Sequence, residues 1–125
     1  MTNFEYLNLN PLSREEEDCV CRAILLATEE KSYEKVLEKL NLIADLYECD
    51  TLCCCCYKHL LDDYYKLPRM EISKPITIQE FLKTHRKGTY LIRINRHLTC
   101  AIDGKIYDLW DCTYETIDIV WKVIK

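Results

Sequence analysis

Apolar residues recur at helical spacing through the first half of the chain and alternate with polar ones through its last third, which predicts helices followed by a sheet. Val20, Ala23, Ile24 and Ala27 define a helix from about Asp18 to Thr28, with Asp18 at its N-cap and Glu15 to Glu17 placing negative charge beside its start. Ser32 caps a second helix, Tyr33 to Tyr47, whose apolar face is Val36, Leu37, Leu40, Ile43, Ala44 and Tyr47. A third, shorter helix covers Leu52 to Tyr64, and "KLPRMEISKP" reads as a connecting loop. Thr77 with Glu80 three residues later is a capping box that opens a short helix through about Thr84. Strands are expected at Thr89–Ile94, His97–Ile102, Lys105–Trp110 and Asp118–Ile124. The predicted class is α+β, with N-terminal helices packed on a C-terminal antiparallel sheet.

The hairpin in this sheet turns residue spacing into geometry. In "HLTCAIDGKIYDLWD" the Asp103-Gly104 pair is a strong signal for a two-residue turn. Such a turn sets Ile102 opposite Lys105, Thr99 opposite Asp108 and His97 opposite Trp110. Alternation then puts His97, Thr99, Asp108 and Trp110 on one face. Asp108 becomes the diagonal neighbour of His97, roughly 5–8 Å away before the side chains reach toward each other. Cys19 starts the first helix, where unpaired backbone N–H groups and the helix dipole favour a thiolate. A cysteine far in sequence from a histidine that has its own acid partner is the pattern of a thiol nucleophile and its base. Cys21, two positions on, faces elsewhere on the helix, and alternation puts Asp111 on the opposite face from His97. Trp110 flanks the His-Asp pair, as a lid or as core.

With 125 residues and 49% hydrophobic composition, the chain is read as one domain spanning 1–125. The net charge of −4 and the scattered basic residues argue against nucleic acid or an anionic membrane surface as partner. The start "MTNFEYLNLNPLSREEED" lacks the basic and apolar regions of a signal peptide, and no apolar run approaches the ~20 residues of a membrane span. Nine cysteines then point to a reducing, cytoplasmic compartment. Most of them, Cys21, Cys49 and Cys100 among them, read as small apolar core residues. Cys53 to Cys56 point in four directions on a helix and cannot converge on one ion. Cys53, Cys56 and His59, with Cys49, offer a partial zinc set, but core packing is the expected role; neither a metal nor a cofactor is expected.

"DCVCRAILLAT" and "KPITIQEFLKTHRKGTYLIRINRHLTCAIDGKIYDLWDCT" resemble a group of small papain-like proteins of bacteria and their phages. These share D-C-V-x-R-A-I and a later G-T-Y-L-x-x-x-x-x-H-L-x-x-x-I-D-G-x-x-Y-D-x-W-D. The resemblance covers roughly residues 4–45 and 74–121. More distantly, the layout is similar to papain and to bacteriocin-processing peptidase domains, which put the nucleophilic cysteine at a helix N-terminus and the histidine at a strand start. The resemblance implies a papain-like fold with Cys19 as nucleophile, His97 as general base and Asp108 as the residue that orients the imidazole. In papain and the bacteriocin-processing enzymes a glutamine six residues before the nucleophile helps hold the oxyanion. Ser13 stands at that position here, so Ser13 or Asn10, with the backbone N–H of Cys19, are the candidate donors.

Two functions follow from this reading. One is a cysteine hydrolase, peptidase or amidase, in which Cys19 attacks a carbonyl and a covalent acyl-enzyme is hydrolysed; its substrate would be a peptide, an isopeptide or another amide. The other is a catalytically silent papain-like scaffold, a phage-encoded binding or anti-defence protein acting on a host protein inside the bacterial cell.

Overall fold

The computed structural model describes residues 3–12, 18–28 and 30–124. Its elements, in order, are β1 (Phe4–Tyr6), α1 (Cys19–Ala27), α2 (Tyr33–Tyr47), α3 (Cys54–His59) running into a π-helical turn (Leu60–Tyr64), β2 (Arg69–Met70), α4 (Ile78–Thr84), β3 (Thr89–Ile94), β4 (His97–Ile102), β5 (Lys105–Asp108) and β6 (Ile119–Val123). The class is α+β: four α-helices and a six-stranded sheet in the order β1-β5-β4-β3-β6-β2. No helix among the described residues is long and apolar enough to cross a membrane.

Local chemistry fixes most of these boundaries. The Ser32 hydroxyl accepts from the Lys35 backbone N–H and starts α2. At α4 the Thr77 hydroxyl accepts from Glu80 N while the Glu80 carboxylate accepts from Thr77 N, a complete capping box. Asp103 (φ 49°) and Gly104 (φ 81°) both take the left-handed conformation, the two-residue turn expected between β4 and β5. Ile102 pairs with Lys105, Ala101 with Ile106 and Cys100 with Tyr107. The Asp103 carboxylate also accepts from Gly88 N, tying the turn to the start of β3.

The core lies on both sides of the sheet because the inner strands alternate two apolar faces. Leu91, Leu98, Cys100 and Trp121 pack against α1, α2 and α3, whereas Tyr90, Ile92, Ala101, Ile106 and Val120 pack against Ile78, Phe81 and Leu82 of α4. Trp121 is fully buried, and its ring N–H donates to Asp62 at the π-helical turn. Helix α1 packs on β4, and the first residues of the two elements, Cys19 and His97, are neighbours.

The structure corrects the sequence reading in four places. The sheet is mixed rather than antiparallel, because β1 joins its edge parallel to β5. Three residues carry too little pattern to register as a strand. Arg69 and Met70, expected in a loop, form β2 against β6. The strand expected to run to Trp110 ends at Asp108, whose carboxylate accepts from the next backbone N–H and turns the chain away. The third helix is shorter and changes to π-helical winding at Leu60, which keeps Leu60 and Leu61 both buried.

The hairpin turn depends on backbone freedom at Gly104, since an added Cβ there meets Arg86 only at ordinary contact distances of 3.5 Å and above. Gly104→Ala is expected to lower unfolding stability by about 1 kcal/mol, from the left-handed strain alone. Urea unfolding monitored by tryptophan fluorescence checks this.

Candidate active site

Cys19 is the first residue of α1, His97 the first of β4 and Asp108 the last of β5. The pairing of β4 with β5 carries the histidine and the acid to the same end of the sheet. The His97 Nε2 atom lies 2.6 Å from Asp108 Oδ2, with the His97 side chain 11% and the Asp108 side chain 2% exposed. Cys19 stands beside His97 and the Leu98 backbone N–H, both of which favour its thiolate. The three residues singled out from the sequence therefore come together, with Asp108 buried and Cys19 and His97 partly buried.

The electrostatics follow from these contacts. Burial pushes the Cys19 thiol up, but the bonds to His97 and Leu98 and the positive charges of His97 and Arg22 outweigh it. The thiol is held below its ordinary 9.0. Burial works against the His97 cation too, yet the Asp108 carboxylate, with Cys112 and Cys19 beside the ring, raises His97 to about 11. Asp108 is itself held below 3.8: burial opposes its charge, but His97 and the Leu109 N–H overcome it. Cys21 behaves in the opposite way, pushed up to about 11 by burial and by the charge of Asp18. Two thiols two residues apart are thus driven in opposite directions by what surrounds them.

Behind the acid lies a network that sequence reasoning reached only in part. Arg22 donates from Nε to Asp18 Oδ1 at 2.6 Å and from Nη1 to Asp108 Oδ1 at 3.1 Å, and all three side chains are at most 8% exposed. Asp18 occupies the N-cap position expected for it, but its side chain makes no cap bond to α1. Its other oxygen accepts from Asn10 Nδ2 at 2.9 Å and from the Tyr33 hydroxyl at 2.8 Å. The Asp18 carboxylate, next to the thiol in sequence, is therefore neutralised by Arg22 and directed away from Cys19. The i,i+4 spacing of Asp18 and Arg22 was readable on a helix. The contact from Arg22 to Asp108, 86 residues on, had no local signal.

The remaining candidates separate. Asn10 is buried, and its amide donates to Asp18. Ser13 and Glu15 to Glu17 lie outside the described residues. Trp110 is 44% exposed with its ring centroid 5.1 Å from that of His97, so it flanks the site as a partly open cover. Asp111 accepts from the backbone and hydroxyl of Thr113, a local turn contact. Cys112, which the sequence did not mark, is fully buried against the imidazole.

Among the described residues the one group with ligand atoms close enough for a metal is His97, Asp108 and Cys112, mutually within 4.8 Å. The 2.6 Å between His97 Nε2 and Asp108 Oδ2 is a hydrogen-bond distance. Two ligands on one tetrahedral zinc at ~2.0 Å each would stand about 3.3 Å apart. Arg22 on the other Asp108 oxygen further disfavours a second cation there. In the cysteine run, Cys56 is buried and donates to the Leu40 carbonyl, while Cys53 and Cys54 pack partly buried on the core and Cys55 is exposed. His59 stacks on Tyr47 at 3.7 Å and pairs with Asp63.

Two outcomes test this site. Arg22→Leu strands two buried carboxylates and is expected to cost about 3–5 kcal/mol in urea unfolding. For His97, raised from 6.5 to about 11 in the fold, the linked stability is complete below about pH 6.5 and disappears as pH rises toward 11. The stability difference between Cys19→Ser and Cys19→Ser/His97→Gln proteins should therefore shrink steadily over that interval, the serine removing the thiol's own titration.

No family model, no curated protein and no solved structure matches this chain.

Proposed function

We propose that the protein is a cysteine hydrolase with a papain-like arrangement, acting on a peptide or other amide bond through Cys19, His97 and Asp108. The observation that carries this reading is the His97–Asp108 hydrogen bond with the Cys19 thiol beside the imidazole. The order, helix-start thiol, strand-start imidazole and orienting carboxylate, supports nucleophilic rather than structural use of the cysteine.

The chemistry is derived from the same contacts. The lowered thiol beside a raised imidazole favours a thiolate–imidazolium pair as the reacting form of the site. The Cys19 Sγ attacks the carbonyl carbon, and the carbonyl π electrons move onto oxygen. The backbone N–H groups of Cys19 and Val20 belong to the first turn of α1 and lack helical partners, which makes them the donors available to that oxyanion. As the tetrahedral intermediate collapses, His97 gives its proton to the leaving amine and the acyl group remains on sulfur. Water, deprotonated by the neutral His97, then releases the acid and regenerates the thiolate. Asp108 keeps the ring oriented and stabilises its charged form, while Arg22 and Leu109 N hold Asp108 in place.

Limited alkylation with iodoacetamide from pH 5 to 8, read by peptide mass spectrometry, tests the reading. Cys19 should be modified at least about tenfold faster than any other cysteine at pH 6, because a lowered thiol stays ionised where ordinary thiols do not. His97→Ala should abolish that preference. Uniform labelling of the accessible cysteines, unchanged by the substitution, would sink the enzyme reading and favour the binding scaffold.

A further inference from the structure

Two cavities flank the Cys19–His97 pair, one of about 250 Å³ and one of about 560 Å³. Val20, Leu52 and Arg96 line both of them. The walls are otherwise largely apolar, and the charge on them has one sign. Arg93 and Arg96 face the smaller cavity and Arg22 and Arg96 the larger, with no aspartate or glutamate among the described lining residues of either. In a chain of net charge −4 this is a local reversal.

The three arginines differ in what already holds them. Arg22 is buried between Asp18 and Asp108. Arg93 is ion-paired with Asp118. His97 is matched by Asp108. Arg96 is exposed and has no ion-pair or hydrogen-bond partner among the described residues. It is therefore the unmatched charge on the walls of the cleft.

Its backbone makes the choice of residue notable. Ile94 pairs with His97, so Asn95 and Arg96 form a two-residue turn between β3 and β4, and Arg96 takes the left-handed conformation at φ 56°. Glycine or asparagine occupies that conformation more readily than arginine. An arginine there bears a local conformational cost. The turn also places Arg96 immediately before His97, and both residues line the two cavities.

We propose that the substrate of this site carries a carboxylate, bound by Arg96 at the junction of the two cavities. This rests on the hydrolase reading of Cys19 and His97. The planar guanidinium presents paired N–H donors that match a carboxylate. Cys19 lines the same two cavities, so a carbonyl of the same substrate would have access to its sulfur. The substrate class is thus acidic peptides or amides, such as those with an aspartyl or glutamyl residue beside the bond that is cleaved.

Three chloroacetamide probes that differ only in their tail test this: chloroacetyl-β-alanine, its primary amide, and the chloroacetyl derivative of 1,3-diaminopropane. Each alkylates the thiolate with loss of chloride, and modification of Cys19 is timed by peptide mass spectrometry on the full chain at pH 7. The carboxylate probe should react at least about tenfold faster than the ammonium probe, the scale of one charge-assisted contact. His97 contributes to that ratio in every variant, so the decisive reading is its change. Arg96→Asn, which suits the left-handed turn, should cut the ratio several-fold while the iodoacetamide rate at Cys19 is retained, and Arg96→Lys should restore most of it. An unchanged ratio in Arg96→Asn, or a faster ammonium probe, overturns the acidic-substrate proposal and leaves the hydrolase reading standing. Absence of selective iodoacetamide labelling of Cys19 in the wild type overturns both.

Discussion

Arg22 sits between two buried carboxylates, and the arrangement of the site depends on that one side chain. It joins Asp18, at the start of α1, to Asp108, at the end of β5. Asp18 in turn holds Asn10 from the N-terminal segment and Tyr33 from α2, while Asp108 holds His97 from β4. Every element that contributes to the site is thereby tied to one guanidinium. Such a chain is costly to desolvate and is not a general source of stability. What it supplies is position: apolar packing tolerates small slides of a helix over a sheet, whereas two charge-assisted bonds to one rigid fork fix its place.

The same chain sets the charge state. Without Arg22, Asp18 would stand as an unscreened negative charge beside the proposed nucleophile and raise its pKa. With Arg22 present, the acidic side chain is directed inward and the guanidinium adds to the charges that lower the thiol. Cys21 shows the contrast: on the same helix, buried and close to Asp18, its thiol moves up to about 11. Burial alone would have made both cysteines inert. Polar contacts at one of them reverse the outcome.

The cleft adds a second level of organisation. With His97 matched by Asp108, Arg22 by two carboxylates and Arg93 by Asp118, Arg96 is left as the surplus charge on the walls. It belongs to the tight turn that delivers His97, so the residue proposed to select the substrate and the residue proposed to act on it share one piece of backbone. The cysteines of the α3 region, conspicuous in the sequence, serve mainly as packing around α2, with Cys53 and Cys54 reaching the edge of the smaller cavity.

Local rules determined a good deal of this molecule. Hydrophobic spacing placed α1, α2 and the four inner strands, since burial of one face imposes its period directly on the sequence. Side-chain hydrogen bonds to nearby backbone placed the starts of α2 and α4, and the Asp103-Gly104 turn fixed the register that sets Asp108 beside His97. Elements whose pattern is too short to register, β1 and β2, became visible only through their partners β5 and β6. The tertiary structure alone decided the contacts between α1 and the sheet: Cys19 against His97, Arg22 against Asp108, and Cys112 under the imidazole. These join residues far apart in the chain, and no periodicity or local motif encodes which buried polar groups will meet once two faces pack together.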